Sequence, residues 1–179
     1  MLEIVISSGE MFDESKSEFI EIPEKTIKLE HSLVSVSKWE AMHHKPFLMR
    51  EEKTPEEMLD YIKCMTVTQN VDDKVYSFLS SENIKKIGDY IEDPMTATKV
   101  PNLGGRPSRE IVTSELIYYW MTVYNIPSEY QKWHLNRLMA LIEICAFKNA
   151  PQKKMSKSQI YSRNRSLNAA RRAKYNTKG

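Results

Sequence analysis

After residue 152 this chain carries Lys153, Lys154, Lys157, Arg163, Arg165, Arg171, Arg172, Lys174 and Lys178, and no acidic side chain at all. A segment so cationic cannot be buried in an apolar core, because unpaired charges are costly to take out of water. The core must therefore come from the residues before it. Nine of the 26 lysines and arginines lie in this tail, which leaves 17 in the first 152 residues against all 24 acidic ones. The body is thus −7 and the tail +9, a division that the net charge of +2 conceals. Asymmetry of this kind marks an interaction tail.

A chain of 179 residues suits one domain with an appendage. Hydrophobic residues at 41%, charged residues at 28% and only five glycines exclude both wholesale disorder and a glycine-rich all-β design. Cys64 and Cys145 stand far apart with no CxxC, which argues against a disulfide framework and a zinc site and predicts a reducing, intracellular setting. The first residues have no basic leader region, and no apolar run approaches the ~18 residues needed to span a bilayer. Neither secretion nor membrane insertion is expected.

The first 30 residues cluster β-formers at Leu2 to Ile6, Phe19 to Ile22 and Ile27 to Leu29. They predict a small antiparallel hairpin or three-stranded sheet with a turn at Pro23 to Lys25. Leu33 to Met42 reads as a helix. Thr54-Pro55-Glu56-Glu57 combines an N-cap, a proline at the first helical position and a glutamate at N3, with Met58, Ile62 and Met65 as the apolar stripe. Asp72 is expected to cap a short helix presenting Val75, Phe78 and Leu79, and Ser81 another presenting Ile84, Ile87 and Ile91. A loop from Asp93 to Pro107, with three prolines and Gly104-Gly105, follows.

Ser108 is the expected cap of the next helix. Its residues Val112, Leu116, Tyr119, Trp120 and Val123 share one face and Ile117 and Met121 another, which predicts a helix central to the core. Ser128-Glu129-Tyr130-Gln131 has the form of a capping box, with Trp133, Leu138, Leu141, Ile142 and Cys145 following at helical spacing. These two helices are expected to form a hairpin with a tight connection. Pro151 ends the body. The tail beyond it has only Ile160, Leu167 and Ala170 as an apolar stripe, so in isolation it is a marginal helix.

Chemistry-bearing motifs are sparse. His43-His44 could be paired with His31 or Cys64 as metal ligands, but adjacent residues point in different directions and no known ligand spacing is present. His134 reads as a buried, hydrogen-bonded structural histidine. It stands eleven residues from Cys145 on the same expected helix, about 16 Å away, so the two cannot form a dyad. There is no GxSxG, GxxxxGK[ST], HExxH or DxD grouping. The expectation is a protein that is not an enzyme and needs no cofactor or metal.

The basic tail has the best claim to function. Lys153, Lys154, Lys157, Arg163, Arg165, Arg171, Arg172 and Lys174 are the candidate partner-binding residues. They could contact nucleic acid through phosphates and counterion release, or an acidic groove of a protein partner with the segment folding as it binds. A solvated terminus is the plain alternative. The acidic body and the scarcity of tail aromatics, Tyr161 and Tyr175 alone, favour protein over nucleic acid. The ten methionines offer an adaptable surface, although Met58, Met65 and Met121 sit at core spacing.

The strings His31-Ser-Leu-Val-Ser-Val-Ser-Lys-Trp-Glu40, Lys45-Pro-Phe-Leu48, Asp60-Tyr-Ile-Lys-Cys-Met65, Pro94-Met-Thr-Ala-Thr98, Ile117-Tyr-Tyr-Trp-Met121 and Gln131-Lys-Trp-His-Leu-Asn-Arg-Leu138 resemble a family encoded in tailed bacteriophages and prophages. So does the ending, Leu167-Asn-Ala-Ala-Arg-Arg172 and Asn176-Thr-Lys-Gly179. The resemblance spans nearly the whole chain. It implies a product of the virion structural and assembly genes, some of which carry the label tail assembly chaperone. Such chaperones hold the aggregation-prone tape measure protein until tail tube subunits surround it. The implied partners are phage structural proteins, either the tape measure protein or tail and connector subunits, with homo-oligomers also open. The implied location is the host cytoplasm during assembly, or the virion.

The expected fold is thus α+β, mainly α. A β segment at 1–30 precedes a helical body at 31–152 and a basic helical tail at 153–179.

Overall fold

Alternation of apolar and polar residues in Leu2–Ile6 and Lys25–Leu29 places Ile4, Ile6, Ile27 and Leu29 on one buried face. In the computed structural model, which describes residues 1–13, 17–49, 51–98, 110–150 and 156–177, these segments are β1 (Leu2–Ile6) and β4 (Lys25–Leu29). They pair antiparallel, Ile4 opposite Ile27, and a second ladder joins β2 (Gly9–Asp13) to β3 (Glu18–Ile22). Ile6 faces Lys25 and Gly9 faces Ile22, three residues further on each arm, so both ladders belong to one long hairpin in a single register.

The hairpin alternative is therefore correct, but the expected turn at Pro23 to Lys25 is not. Pro23 has no N–H to give to a ladder and marks the interruption between β3 and β4. The reversal instead lies between β2 and β3 and ends at Ser17, whose φ is 53°.

Helix α1 (Leu33–His43) starts at Ser32, which accepts the Ser35 N–H, and ends at His44 in the left-handed region. Its Leu33, Val36 and Trp39 are buried, and the Trp39 indole N–H donates to the Glu57 carbonyl at 2.8 Å. Helix α2 (Pro55–Met65) opens with the expected Thr54–Glu57 capping box, both hydrogen bonds being present. Ile62 and Met65 are buried and Met58 is half-buried, but the most enclosed side chain of α2 toward the core includes Tyr61, which the stripe omitted. The chain after α2 returns along β4: Val67 donates to the Lys28 carbonyl at 2.8 Å and Glu30 to the Met65 carbonyl at 2.8 Å.

Asp72 caps a single 3-10 segment, Asp73–Phe78, as expected of the residue, and it buries Val75 and Tyr76. Helix α3 (Ser81–Glu92) is capped by Ser80 and not Ser81, because the Ser80 hydroxyl reaches the Asn83 N–H. Of its three isoleucines Ile87 is buried, Ile91 half-buried and Ile84 exposed. Asn83 crosses to the hairpin and donates to the Val5 carbonyl at 3.1 Å.

Helix α4 (Ser114–Val123) is capped by Thr113, which accepts the Leu116 N–H. Ser108 and Gly104-Gly105 lie outside the described residues, but the cap at Thr113 already excludes the expected start at Ser108. The burial of α4 also corrects the expected core helix: Ile117 and Met121 are enclosed, whereas Tyr119 and Val123 are 62% and 51% exposed. Tyr119 and Val123 of the larger expected face thus point outward, while Leu116 and Trp120 are half-buried. A helix only ten residues long packed against α1 can cover one stripe, not two.

The capping box expected at Ser128 does not form. Residues Ser128–Lys132 make a 3-10 turn with no side-chain cap, and Gln131 instead accepts the Tyr118 hydroxyl at 3.0 Å. Helix α5 (Leu135–Asn149) therefore begins after His134, and residues 124–134 replace the tight connection. Leu135, Leu138 and Ile142 bury its inner face.

The chain forms two compact units, Met1–Lys148 and Asn149–Gly179. The first contains the hairpin and α1 to α5, and its fold is α+β, mainly α. The second contains α6 (Lys157–Tyr175). Among the described residues no helix is long and apolar enough to cross a membrane.

Candidate partner interface

Helix α6 is specified by its own ends. Ser156 and Gln159 form a capping box: the Ser156 hydroxyl accepts the Gln159 N–H at 3.2 Å, and the Gln159 side chain accepts the Ser156 N–H at 3.0 Å. Asn176 closes the other end in the left-handed conformation, with its N–H on the Arg172 carbonyl. Arg172 and Lys174 occupy the last turn, where cations meet the negative end of the helix dipole. These local devices give 19 helical residues where the weak apolar stripe alone supports few.

All described residues from 156 to 177 are exposed. Lys157, Arg163, Arg165, Arg171, Arg172 and Lys174 stand on the helix, while Lys153 and Lys154 lie outside the described residues. The six cations do not share one face. Arg165 and Arg172 are seven residues apart, two turns, and fall in line with Tyr161 and Asn168. Arg163 and Lys174 are eleven apart and run along one side of the Ile160–Leu167 line, both of whose side chains are about half exposed at 43% and 47%. The helix thus presents two stripes, one with a phenol ring, an amide and two guanidiniums, the other aliphatic and edged by cations. Sequence reading found the second; the first follows from the i, i+4, i+7, i+11 spacing of Tyr161, Arg165, Asn168 and Arg172.

In the body, the histidines are used for packing. His31 is buried, its Nδ1 pairs with the Tyr61 hydroxyl, and its ring meets that of His134 at a centroid distance of 4.9 Å. Burial, reinforced by His134, pushes the His31 imidazole down to about 3. His134 Nε2 donates to the Tyr90 carbonyl at 2.9 Å, which leaves Nδ1 as the unprotonated nitrogen, buried without a partner. Its pKa is lowered too, by burial first. His134 is thus a structural, hydrogen-bonded histidine, though half-buried and just ahead of α5.

His43 lies 3.3 Å from Asp60 through Nε2 and stacks against Trp39, while His44 turns the chain. The suggested cluster of His43, His44, His31 and Cys64 is not brought together. Among the described residues no group of three or more His, Cys, Asp or Glu is placed to hold a metal ion. Cys64 and Cys145 are free thiols, and burial raises the Cys64 pKa.

The string Gln131 to Leu138 is a junction in which each side chain has a place. Trp133 stacks on Tyr130 at 3.9 Å and carries the Arg137 guanidinium at 4.1 Å on its ring. Asn136 donates to the Ile91 and Asp93 carbonyls at 2.9 and 2.8 Å and so closes the C-terminus of α3. Leu135 and Leu138 enter the core.

No family model matches the chain, and neither the curated proteins nor the solved structures contain a match to it.

Proposed function

We propose that this chain is a non-enzymatic bacteriophage morphogenesis protein, a tail assembly chaperone that holds the tape measure protein in the host cytoplasm during assembly. The observation that carries the reading is α6, a helix capped at both ends whose described side chains are all exposed and which combines six cations with an aliphatic line. Such a helix docks by laying its apolar line in a groove while its cations meet acidic side chains at the rim. The resemblance of several strings to a family of tailed bacteriophages is what points this reading to the tape measure protein as partner. The outward face of α4, with Tyr119 and Val123, adds apolar surface of the kind that shields an aggregation-prone client.

Co-expression with the cognate tape measure protein tests this reading. A soluble complex is expected, and its yield should fall when Arg163, Arg165, Arg171 and Arg172 are replaced by glutamate. A tape measure protein that neither becomes soluble nor co-purifies sinks it.

A second reading is a permanent virion subunit in a connector, tail or baseplate. It is favoured by the hairpin arm, where Phe12 and Phe19 face each other with centroids 5.2 Å apart and stand 49% and 73% exposed. Neighbouring subunits commonly cover such a pair. Mass spectrometry of purified particles separates the two readings: the chaperone is absent from them, whereas the subunit is present at a ring's copy number. Binding of α6 to duplex DNA is the other possible outcome, recognised by an affinity that falls steeply with salt.

A further inference from the structure

Between α2 and α3 the body leaves open a cavity of about 490 Å³. Met58 and Ile62 line one wall, Ile84, Ile87 and Ile91 the other, and Leu79 lies between them. Two features set it apart from an ordinary surface crease.

The first is Gly88, in the middle of α3. Glycine inside a helix costs roughly 0.5–1 kcal/mol relative to alanine, and a body that needed the space would explain its presence. No such need exists: a Cβ built at Gly88 meets nothing within 4 Å. The missing side chain opens the helix backbone to the cavity, as glycine does where another backbone must come close. Ile84, one turn before it and 55% exposed, stands beside the same opening.

The second is Lys53, the one charged residue lining the cavity among the described residues. Among the described residues no carboxylate stands within ion-pair distance of it. Glu57, the carboxylate acting on it, is held by Lys45 at 2.6 Å and by the Thr54 N–H at 3.0 Å. The Lys53 ammonium rests over the Phe47 ring at 4.5 Å and the Trp39 ring at 5.8 Å and is partly desolvated there.

From an aliphatic groove with an open helix backbone in one wall and, in its lining, a lysine without a carboxylate partner among the described residues, we infer that this cavity is the docking site for an amphipathic helix of a partner polypeptide. The partner's aliphatic stripe lies along Met58, Ile62, Ile84 and Ile91, its backbone crosses at Gly88, and a carboxylate at its end pairs with Lys53. Helices dock in grooves through anchors at i, i+3, i+4 and i+7, and a groove lined by aliphatic side chains from two helices suits such anchors. The inference goes beyond the proposed function and does not depend on it, since α6 contributes nothing to this surface.

The test uses the full chain and synthetic helical peptides with a leucine stripe, ending in glutamate, glutamine or lysine, followed by fluorescence anisotropy. The glutamate peptide should bind the native chain about tenfold more tightly than the glutamine peptide, the gain from one partly desolvated ion pair. Gly88→Leu, whose Cβ enters open space, should weaken the glutamate peptide at least about tenfold while thermal unfolding shows the fold retained. Lys53→Glu should reverse the preference so that the lysine peptide binds best. Equal affinity for all three peptides, or binding unchanged by Gly88→Leu, overturns the inference. Self-association of the chain that Gly88→Leu abolishes, with no peptide bound, also overturns it and gives the groove to a second copy.

Discussion

The Glu40 carboxylate accepts the backbone N–H of Ser114 at 2.7 Å, across 74 residues of chain, and so fastens the start of α4 to α1. Its other oxygen accepts the Phe47 N–H at 2.7 Å. One buried side chain thereby satisfies two amides from separate parts of the chain, and the charged acceptor makes both bonds stronger than neutral ones.

Glu40→Ala should therefore destabilise the body by about 3 kcal/mol, because two amides lose their acceptor at once. Glu40→Gln keeps one acceptor oxygen and should cost about half as much, roughly 1.5 kcal/mol. Urea unfolding monitored by tryptophan fluorescence checks both. A loss in Glu40→Ala below about 0.5 kcal/mol would show that Ser114 and Phe47 find other partners.

The buried imidazoles predict a pH dependence. His31 titrates at about 3 in the folded body against an ordinary value of 6.5, so the unfolded chain takes up a proton first as pH falls. Stability is full above the unfolded value and declines below it, by about 2 kcal/mol between pH 7 and pH 5 from His31 alone. His134 acts in the same direction. Glu57 and Glu82, held below the usual carboxylate range by Lys45 and Lys86, and Glu115, held there by its own N–H, contribute losses only at still lower pH. Unfolding midpoints measured from pH 7.5 to 5 should decline, and His31→Gln should flatten the slope. An unchanged slope in that variant contradicts the assignment.

Two glycines should respond oppositely to alanine. Gly88→Ala adds a methyl into open space in a helix interior and should stabilise the body by about 0.5–1 kcal/mol. Gly9→Ala would drive a Cβ into the Phe78 ring, which must shift. A cost of about 1–3 kcal/mol follows from that overpacking. Thermal melts of the two variants should move to opposite sides of the native midpoint.

Thr54→Ala removes the hydroxyl that accepts the Glu57 N–H in a working capping box and should cost about 1 kcal/mol. Ser128→Ala, at a box of equal appearance, should cost nothing measurable, since no cap hydrogen bond exists there. Comparable losses in the two variants would count against the 3-10 turn at Ser128.

The cap at Thr54 was readable because its hydrogen bonds span three residues, and the helix after Ser32 because Leu33, Val36 and Glu40 recur at helical spacing. The β register was partly readable: alternation put Ile4 and Ile27 on a common face, but Pro23 looked like a turn until pairing across the hairpin showed it to be a break. At Ser128 the same local logic failed because the Tyr118 hydroxyl, ten residues upstream of Ser128, competes for Gln131. At α4 the start moved to Thr113, next to an amide that Glu40 requires. The candidate cations of the tail were visible as charge alone, while their division into two stripes needed the helix that Ser156 and Asn176 terminate.

The sequence by itself determined the acidic body, the cationic tail and the helices whose caps lie within one turn, since charge is additive and a cap bond is local. Tertiary structure alone decided which apolar faces are covered: Tyr61 inward, Tyr119, Val123 and Ile84 outward, and an open groove at Gly88. Those outcomes depend on which helix reaches which neighbour, and periodicity along one element carries no record of that.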